Sequence, residues 1–409
     1  MDFKDKALCK IRTITTFLSL TNDRRKWKEK ITLAQQLCDE LSQNLSTQGY
    51  TVQTIRIVTN PFGEYLNTDN LSTAKNDLAY LSQLLDYSGT STPRIRFAIG
   101  EAKTHHEISL LPELIKEYGD LCNVCVNVEL DDSGILDNSL IEESAKAVIK
   151  KSQMTPRGEG NFNFTVNFNC KPLIPYFPAS YHSSKLKDSF VVGLETPDLL
   201  VHTLKDINQN TNAQGHNERF KVYFEGLSSA LQYHISKINT IIQKLPSPQF
   251  TFSGFDSSAA PSKDCSSLAE VYQLMGVEYF GASGTVEASS LLTRVFKSIK
   301  GVQLVGFSGL MLALTEDMGL AEGTQNSNFD IRSLLTYSAV CGIGLDTVPI
   351  PGDTSLDKMS ALMRDTGTMA YRLNKPLTVR LFPIPTLKAG DMTTFQSADL
   401  CNCTVLNVP

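Results

Sequence analysis

The feature that most constrains this chain is a helical stripe set between two alternating runs. Trp27, Ile31, Ala34, Cys38, Leu41 and Leu45 recur at spacings of four, three, four, three and four, which puts them on one face of a helix. Ahead of them, residues 10–20 alternate, with Ile11, Thr13, Thr15 and Phe17 on one face and Arg12, Ile14 and Thr16 on the other, as a strand does. Asn22 or Asp23 stands where a helix is capped, and Gly49 where one ends in a left-handed conformation. Residues 52–58 read as a second strand. A strand, a long helix and a strand within about 50 residues make a βαβ crossover, the connection that parallel strands require.

The alternation continues. Leu71, Ala74, Leu78, Leu81 and Leu85 form another helical stripe. Residues 107–118 and 139–151 read as helices, and residues 94–99, 122–128 and 162–168 as strands. That makes five strands with helices between them. Residues 169–184 then form a long connector rich in Pro and aromatic side chains. Strand-like runs recur at 190–193, 250–255, 302–307, 337–345 and 377–382, with helices such as 217–245, 285–298 and 356–373 between most of them. Gly342 and Gly344 interrupt the run at 337–345. No low-complexity linker divides the 409 residues. They read as one α/β unit in two parallel halves, which either close into a barrel or stand as two sheets.

Charge narrows the partners. Lys and Arg number 38 and Asp and Glu 43, a net charge of −5, so there is no basic footprint for nucleic acid or an acidic membrane surface. The longest charge-free stretches, 41–55 and 301–315, have 15 residues each, short of the ~20 apolar residues of a spanning helix. The start, Met1-Asp2-Phe3-Lys4-Asp5-Lys6, has no apolar signal region. Nine scattered cysteines form no disulfide framework. The expectation is a reduced, cytoplasmic protein with a small-molecule ligand; homo-oligomerisation stays open. Six histidines without HxH or HExxH spacing argue against a closed zinc site. No cofactor is predicted, and a divalent metal would need oxygen ligands.

Candidate chemistry lies in a few segments. Residues 161–169 alternate strictly, with Asn161, Asn163, Thr165, Asn167 and Asn169 on one face and Phe162, Phe164, Val166 and Phe168 on the other. Asn is uncommon in strands, and a buried amide without partners costs about 1–3 kcal/mol. This face therefore calls for solvent or a polar cavity. Three prolines then stiffen residues 170–182, which begin at Cys170 and end at His182, types suited to nucleophilic and acid–base work. Asp256, Ser257 and Ser258 follow a strand, where parallel α/β folds place ligand groups; a capping turn accounts for them equally well. Gly306-Phe307-Ser308-Gly309 precedes an apolar run ending in Glu316-Asp317, either a helix-end pair or a pair of cavity carboxylates. Residues 336–354 are the densest, with Cys341, Gly342, Gly344, Asp346 and, placed to cap the next helix, Asp353. Other motifs read as structural. Cys122 and Cys125 lie three apart on an alternating run, Cys401 and Cys403 in an extended tail, and Gly281-Ala282-Ser283-Gly284 is a helix-entry turn without a phosphate-loop ending.

Several of these segments together resemble an uncharacterised family, domain of unknown function 711, which is grouped with pyruvate formate-lyase-like proteins. The resemblance is carried by FPASYH (177–182), VGLETPDL (192–199), DSSAAPS (256–262), GFSGLMLALTED (306–317) and YSAVCGIGLDTVPIPGD (337–353). KIRTITTFLSL (10–20), IRIVTNPF (55–62), KPLTVRLFPIP (375–385) and AGDMTTF (389–395) also fit. It implies the ten-stranded α/β barrel of glycyl-radical enzymes as a single domain over 1–409. The first half would cover about 1–169, a connector at about 170–185 would thread the barrel, and the second half would cover about 186–409. The radical does not carry over. The nearest counterpart of the Arg-Val-x-Gly-aromatic pattern is Val379-Arg380-Leu381-Phe382-Pro383, which has no Gly, and Gly390 stands in another context. The expectation is a non-radical enzyme of lyase, cyclase or hydrolase type acting on a small polar metabolite in the barrel cavity. His182 and Asp256 would handle protons, and Cys341, then Cys170, would be the nucleophile. Asn167, Asn169, Glu195, Ser257, Ser258, Ser308 and Asp353 would orient substrate, and Asp346, Glu316 and Asp317 would act as carboxylate partners or metal ligands. A binding or regulatory protein that keeps the barrel without catalysis is the alternative.

Overall fold

The computed structural model describes residues 2–85, 94–245, 247 and 249–409. Its first half follows the predicted alternation: β1 (Lys10–Leu18), α1 (Trp27–Thr47), β2 (Thr54–Thr59), α2 (Leu71–Leu85), β3 (Arg94–Glu101), α3 (His105–Tyr118), β4 (Asn123–Val128), α4 (Asn138–Met154) and β5 (Phe164–Phe168). All six residues of the α1 stripe are buried. Asp23 caps the 3-10 turn that enters α1, and Gly49 takes φ +86 just beyond its end. Strands β1 to β5 are parallel neighbours in chain order, as right-handed helical crossovers dictate.

The second half divides around the first. It contains β6 (Ser189–Glu195), α5 (Pro197–Asn210), α6 (His216–Ile242), β7 (Thr251–Asp256), α7 (Leu268–Leu274), α8 (Thr285–Lys297), α9 (Met318–Gln325), α10 (Ile331–Ser338), β8 (Gly344–Pro351), α11 (Leu356–Arg372) and β9 (Leu377–Ile384). β6 pairs antiparallel with β1, and β9 antiparallel with β5. β7 and β8 then add in parallel outside them, giving the order β7-β6-β1-β2-β3-β4-β5-β9-β8.

The sheet therefore has nine strands and open edges, not the closed ring of ten that the resemblance implies. Residues 302–307, predicted as a strand, are not one. This segment makes a single parallel bridge to each edge, Leu304 with Phe255 and, further on, Ala313 with Asp346. Between those bridges Gly306 (φ +63) and Ser308 (φ +38) turn the backbone out of the extended region. The strand predicted at 337–345 is also displaced. Ile331, Leu334, Tyr337 and Ser338 are the buried face of α10, and β8 begins only at Gly344. Asn161 and Asn163 lie in a 3-10 segment before β5, and Asn169 (φ +52) lies past its end. Only Thr165 and Asn167 of the polar row are in the strand.

One face of the sheet packs on the helices, through residues such as Ile55, Ile57, Phe97, Ile99, Val124 and Val126. A separate apolar cluster, Phe17, Val58, Ala98 and Val191, packs against Leu173 and Phe177 of the connector. The alternation along β1 and β2 thus gives one face to the helices and the other to the connector. Four strands pin the connector's tip. Pro175 O accepts from Thr15 Oγ1 and Arg56 Nη1, both at 3.2 Å. Tyr176 Oη donates to Leu194 O at 3.0 Å and accepts from Leu194 N–H at 2.9 Å. Asn167 Nδ2 donates to Ala179 O at 3.1 Å. Gly193 permits this approach, since a Cβ there would stand 3.0 Å from the Tyr176 ring. Among the described residues no helix is long and apolar enough to cross a membrane.

Candidate functional site

The connector's tip, the strands facing it and the segment that bridges the two edges enclose a cavity of about 40 Å³. Its walls mix charged and apolar side chains. Three guanidinium groups (Arg12, Arg56, Arg380) and two carboxylates (Glu316, Asp346) line it, with Thr165, Tyr176 and Thr378. Phe177, Phe307 and Met311 supply apolar surface.

Arg380 sits in the middle of β9 between Val379 and Leu381, so strand alternation alone turns it away from the helices. Its Nε donates to Asp346 Oδ1 at 2.6 Å and its Nη2 to Glu316 Oε1 at 2.5 Å. Its Nη1 donates to Phe162 O at 3.3 Å. Burial works against its charge, but the two carboxylates outweigh burial and raise its pKa above the usual guanidinium value. Burial raises the pKa of Glu316 against the opposing pull of Arg380. Asp346 Oδ2 is buried without a hydrogen-bond partner. The site thus holds two carboxylates on one guanidinium, one of them with an uncommitted oxygen.

Arg56, in the middle of β2, is in the opposite situation. It is 7% exposed, and no carboxylate pairs with it among the described residues. Its guanidinium lies over the Phe177 ring, 4.9 Å from the centroid. Burial, then the charges of Arg12 and Arg96, push its pKa down to about 9. Arg12 is steadied by Gln53 Oε1 at 3.2 Å and Glu195 Oε2 at 3.5 Å. Glu195 also accepts from Lys10 at 3.2 Å and Gln53 at 2.8 Å. Glu195 therefore acts on the cavity through Arg12, from outside its lining.

The other predicted residues lie elsewhere. Asp256 Oδ1 accepts from Ser258 N–H (3.0 Å), Ser258 Oγ (2.6 Å) and Ser308 N–H (3.0 Å), and Oδ2 accepts from Phe307 N–H at 2.8 Å. Burial pushes its pKa up to about 6, so at neutral pH it is an anion with four donors. Ser257 Oγ donates to Phe296 O at 2.7 Å and Ser308 Oγ to Val305 O at 2.7 Å. Together these groups knot the bridging segment to β7. Asp317 caps α9 and accepts from Ser267 and Leu268 as well. Asp353 is exposed, and Ser355 rather than Asp353 caps α11.

His182 is fully buried, and neither ring nitrogen has a hydrogen-bond partner. Burial pushes its pKa down to about 4. It borders a different cleft, over the ends of β3 and β4, with Glu101, Asn127 and Tyr181. The structure therefore does not bring His182 and Asp256 together. Asn167 joins Asn127 Oδ1 at 3.0 Å to the connector, and Asn169 reaches Asn374 Oδ1 at 3.3 Å. All nine cysteines are free. Cys341 accepts from Gly344 N–H at 3.4 Å, and Cys170 donates to Leu377 O at 3.6 Å. Neither is in the cavity lining. Burial pushes the Cys170 thiol up to about 12, so it is not a thiolate at neutral pH. Among the described residues no three His, Cys, Asp or Glu side chains gather as metal donors.

Three lining residues, Arg12, Arg56 and Arg380, went unmarked as candidates from sequence. Their signal was present: Arg56 and Arg380 each stand between two apolar residues in a strand, a pattern that puts a charge on the face opposite the helices.

This is an α/β protein with a charged cavity between one mixed sheet and a pinned connector. The chain belongs to the family described as Uncharacterised ACR (DUF711), which it matches over residues 4–397. Its curated relatives carry the name UPF0210 protein. One from Clostridium botulinum is 25% identical over 94% of this chain and 88% of its own length. One from Carboxydothermus hydrogenoformans is 27% identical over 70% of this chain, but that match covers only 63% of the relative. Among solved structures, the anaerobic ribonucleotide reductase from Thermotoga maritima is similar with a TM-score of 0.47 at 9% identity, over 91% of this chain and 81% of that one.

Proposed function

We propose that this chain is a non-radical enzyme acting on a small polar metabolite in the cavity, with Glu316 and Asp346 as its proton-handling groups. The observation that carries this reading is the sharing of one buried guanidinium, Arg380, by two carboxylates in the cavity wall. Arg380 fixes both carboxylates while leaving Asp346 Oδ2 uncommitted. Burial brings Glu316 closer to neutrality, where a carboxyl both takes and gives protons. Thr165 and Thr378 add hydroxyls, and Tyr176 closes the wall from the connector. In this reading the bridging segment stands where the tenth strand of a ring would be, and no cysteine is needed. The lack of Gly in 379–383 supports chemistry without a radical.

The test is time-resolved mass spectrometry of a small-molecule extract incubated with the purified protein. The wild type should deplete one compound and produce another. E316Q and D346N should slow that conversion by about 10²-fold or more, the usual weight of a proton-transfer group. Enrichment of a compound that never changes would make the protein a binder instead. Conversion at the wild-type rate in both variants would remove the carboxylates from the chemistry.

A further inference from the structure

The guanidinium of Arg56 belongs to the cavity lining. Nη1 donates to Pro175 O at 3.2 Å. Nε is buried and has no partner, and Nη2 makes no hydrogen bond to the described residues. The ring of Phe177 supports the flat face. None of the nearby carboxylates is bonded to Arg56: Asp346 and Glu316 pair with Arg380, Glu195 with Lys10 and Arg12, and Asp399 with Arg96, and Glu316 offsets the Arg56 charge only from a distance. A second guanidinium, Arg12, lines the same cavity. A buried charge without a counter-charge is costly, and more so beside a like charge. The Nε–Nη2 edge is the side that grips a carboxylate with two parallel charge-assisted hydrogen bonds.

We infer that the Nε–Nη2 edge of Arg56 is the receptor for a single carboxylate on the small molecule that the cavity takes, with Arg12 as the second positive charge. This rests on the cavity being the substrate site, as proposed above. A planar carboxylate suits one flat edge, and the smallness of the cavity favours a small acid. The acid's far end would then face Glu316 and Asp346 across the cavity, which gives the two ends of the site separate tasks.

The test is a thermal-shift titration of the full chain with acetate, acetamide and inorganic phosphate at matched ionic strength. Acetate should raise the melting temperature saturably, as a ligand of the native state does, and acetamide should not. R56M should weaken acetate binding at least tenfold, and R56K less. R56Q serves as the second variant, and circular dichroism shows that each variant is folded. Equal binding of acetate and acetamide, tighter binding of phosphate, or acetate binding unchanged in R56M and R56Q would overturn the inference. Binding of acetamide alone would leave the cavity as the site while removing the carboxylate. Binding of none of the three probes would count against both the carboxylate and the cavity.

Discussion

Lys151 is fully buried on α4, with Nζ over the Phe164 ring, 3.4 Å from the centroid, and no hydrogen-bond partner. Burial drives its pKa well below the ordinary lysine value. The folded chain therefore holds this proton less tightly than the unfolded chain, so folding is penalised below the unfolded value and the penalty fades as pH rises toward it. Lys151→Met should raise the urea midpoint at pH 7, and that gain should shrink as pH rises toward 10. His182 works in the other pH range. Its pKa falls from 6.5 to about 4 through burial, opposed by Asp188. Its contribution is present above pH 6.5 and is lost as pH falls toward 4, by about 2–3 kcal/mol at pH 4.5. His234 titrates in the same direction, so the measurement is the difference between wild type and His182→Phe in urea unfolding at pH 7 and 4.5. A smaller acid loss in the variant is expected. At this scale the acidic members of the site were legible, because Glu316 closes an apolar run and Asp346 follows a glycine-rich turn, settings where a carboxylate stands out. Asp256 looked equally chemical. Whether a carboxylate's lone pairs face a ligand or four neighbouring donors depends on contacts 51 and 52 positions away, which local sequence does not carry.

Elements were legible wherever one face had a single periodicity. The α1 stripe is the clearest instance, and the five strands of the first half follow for the same reason. The failures have physical causes. Residues 337–345 mix the end of an amphipathic helix with a glycine turn and the start of a strand, so no one period describes them. Residues 302–307 are strand-like in composition, yet positive φ at Gly306 and Ser308 ends the extension. Asp256 is what holds that bend. A Cβ on Gly306 would lie 2.1 Å from Asp256 Oδ2, so Gly306→Ala should loosen the knot even though the change is one methyl group. Asp256→Ala leaves four donors without their acceptor and should cost on the order of 3–5 kcal/mol in urea unfolding. A loss under about 1 kcal/mol would show that the donors find other partners.

At the scale of the molecule, β1 to β5 are knit by parallel ladders, interrupted by one register shift between β3 and β4, whereas backbone pairing of the two edges is confined to single bridges to one irregular segment. Side chains such as Asp256 and Thr347, not a backbone ladder, supply much of the bonding at that junction. Hydrogen exchange under native conditions should therefore show the amides of Val305 and Leu314 exchanging well before those of β1 and β2. Equal protection would mean that the junction and the sheet open together. Periodicity gave the five strands of the first half, but its five for the second half are four, and the ring implied by the resemblance does not close, because whether two edges meet depends on a few glycines and side-chain contacts rather than on a repeating pattern.

The connector adds a constraint of assembly. It leaves β5, fills the space beside the inner face, and must emerge to begin β6. A cork of this kind has to be in the neck before the neck narrows. Residues 302–313 come more than a hundred positions later than the connector, so during synthesis the plug is made long before the clasp that shuts over it. Shutting the clasp first would leave Tyr176 and Pro175 outside and the arginines of the wall facing one another with nothing between them.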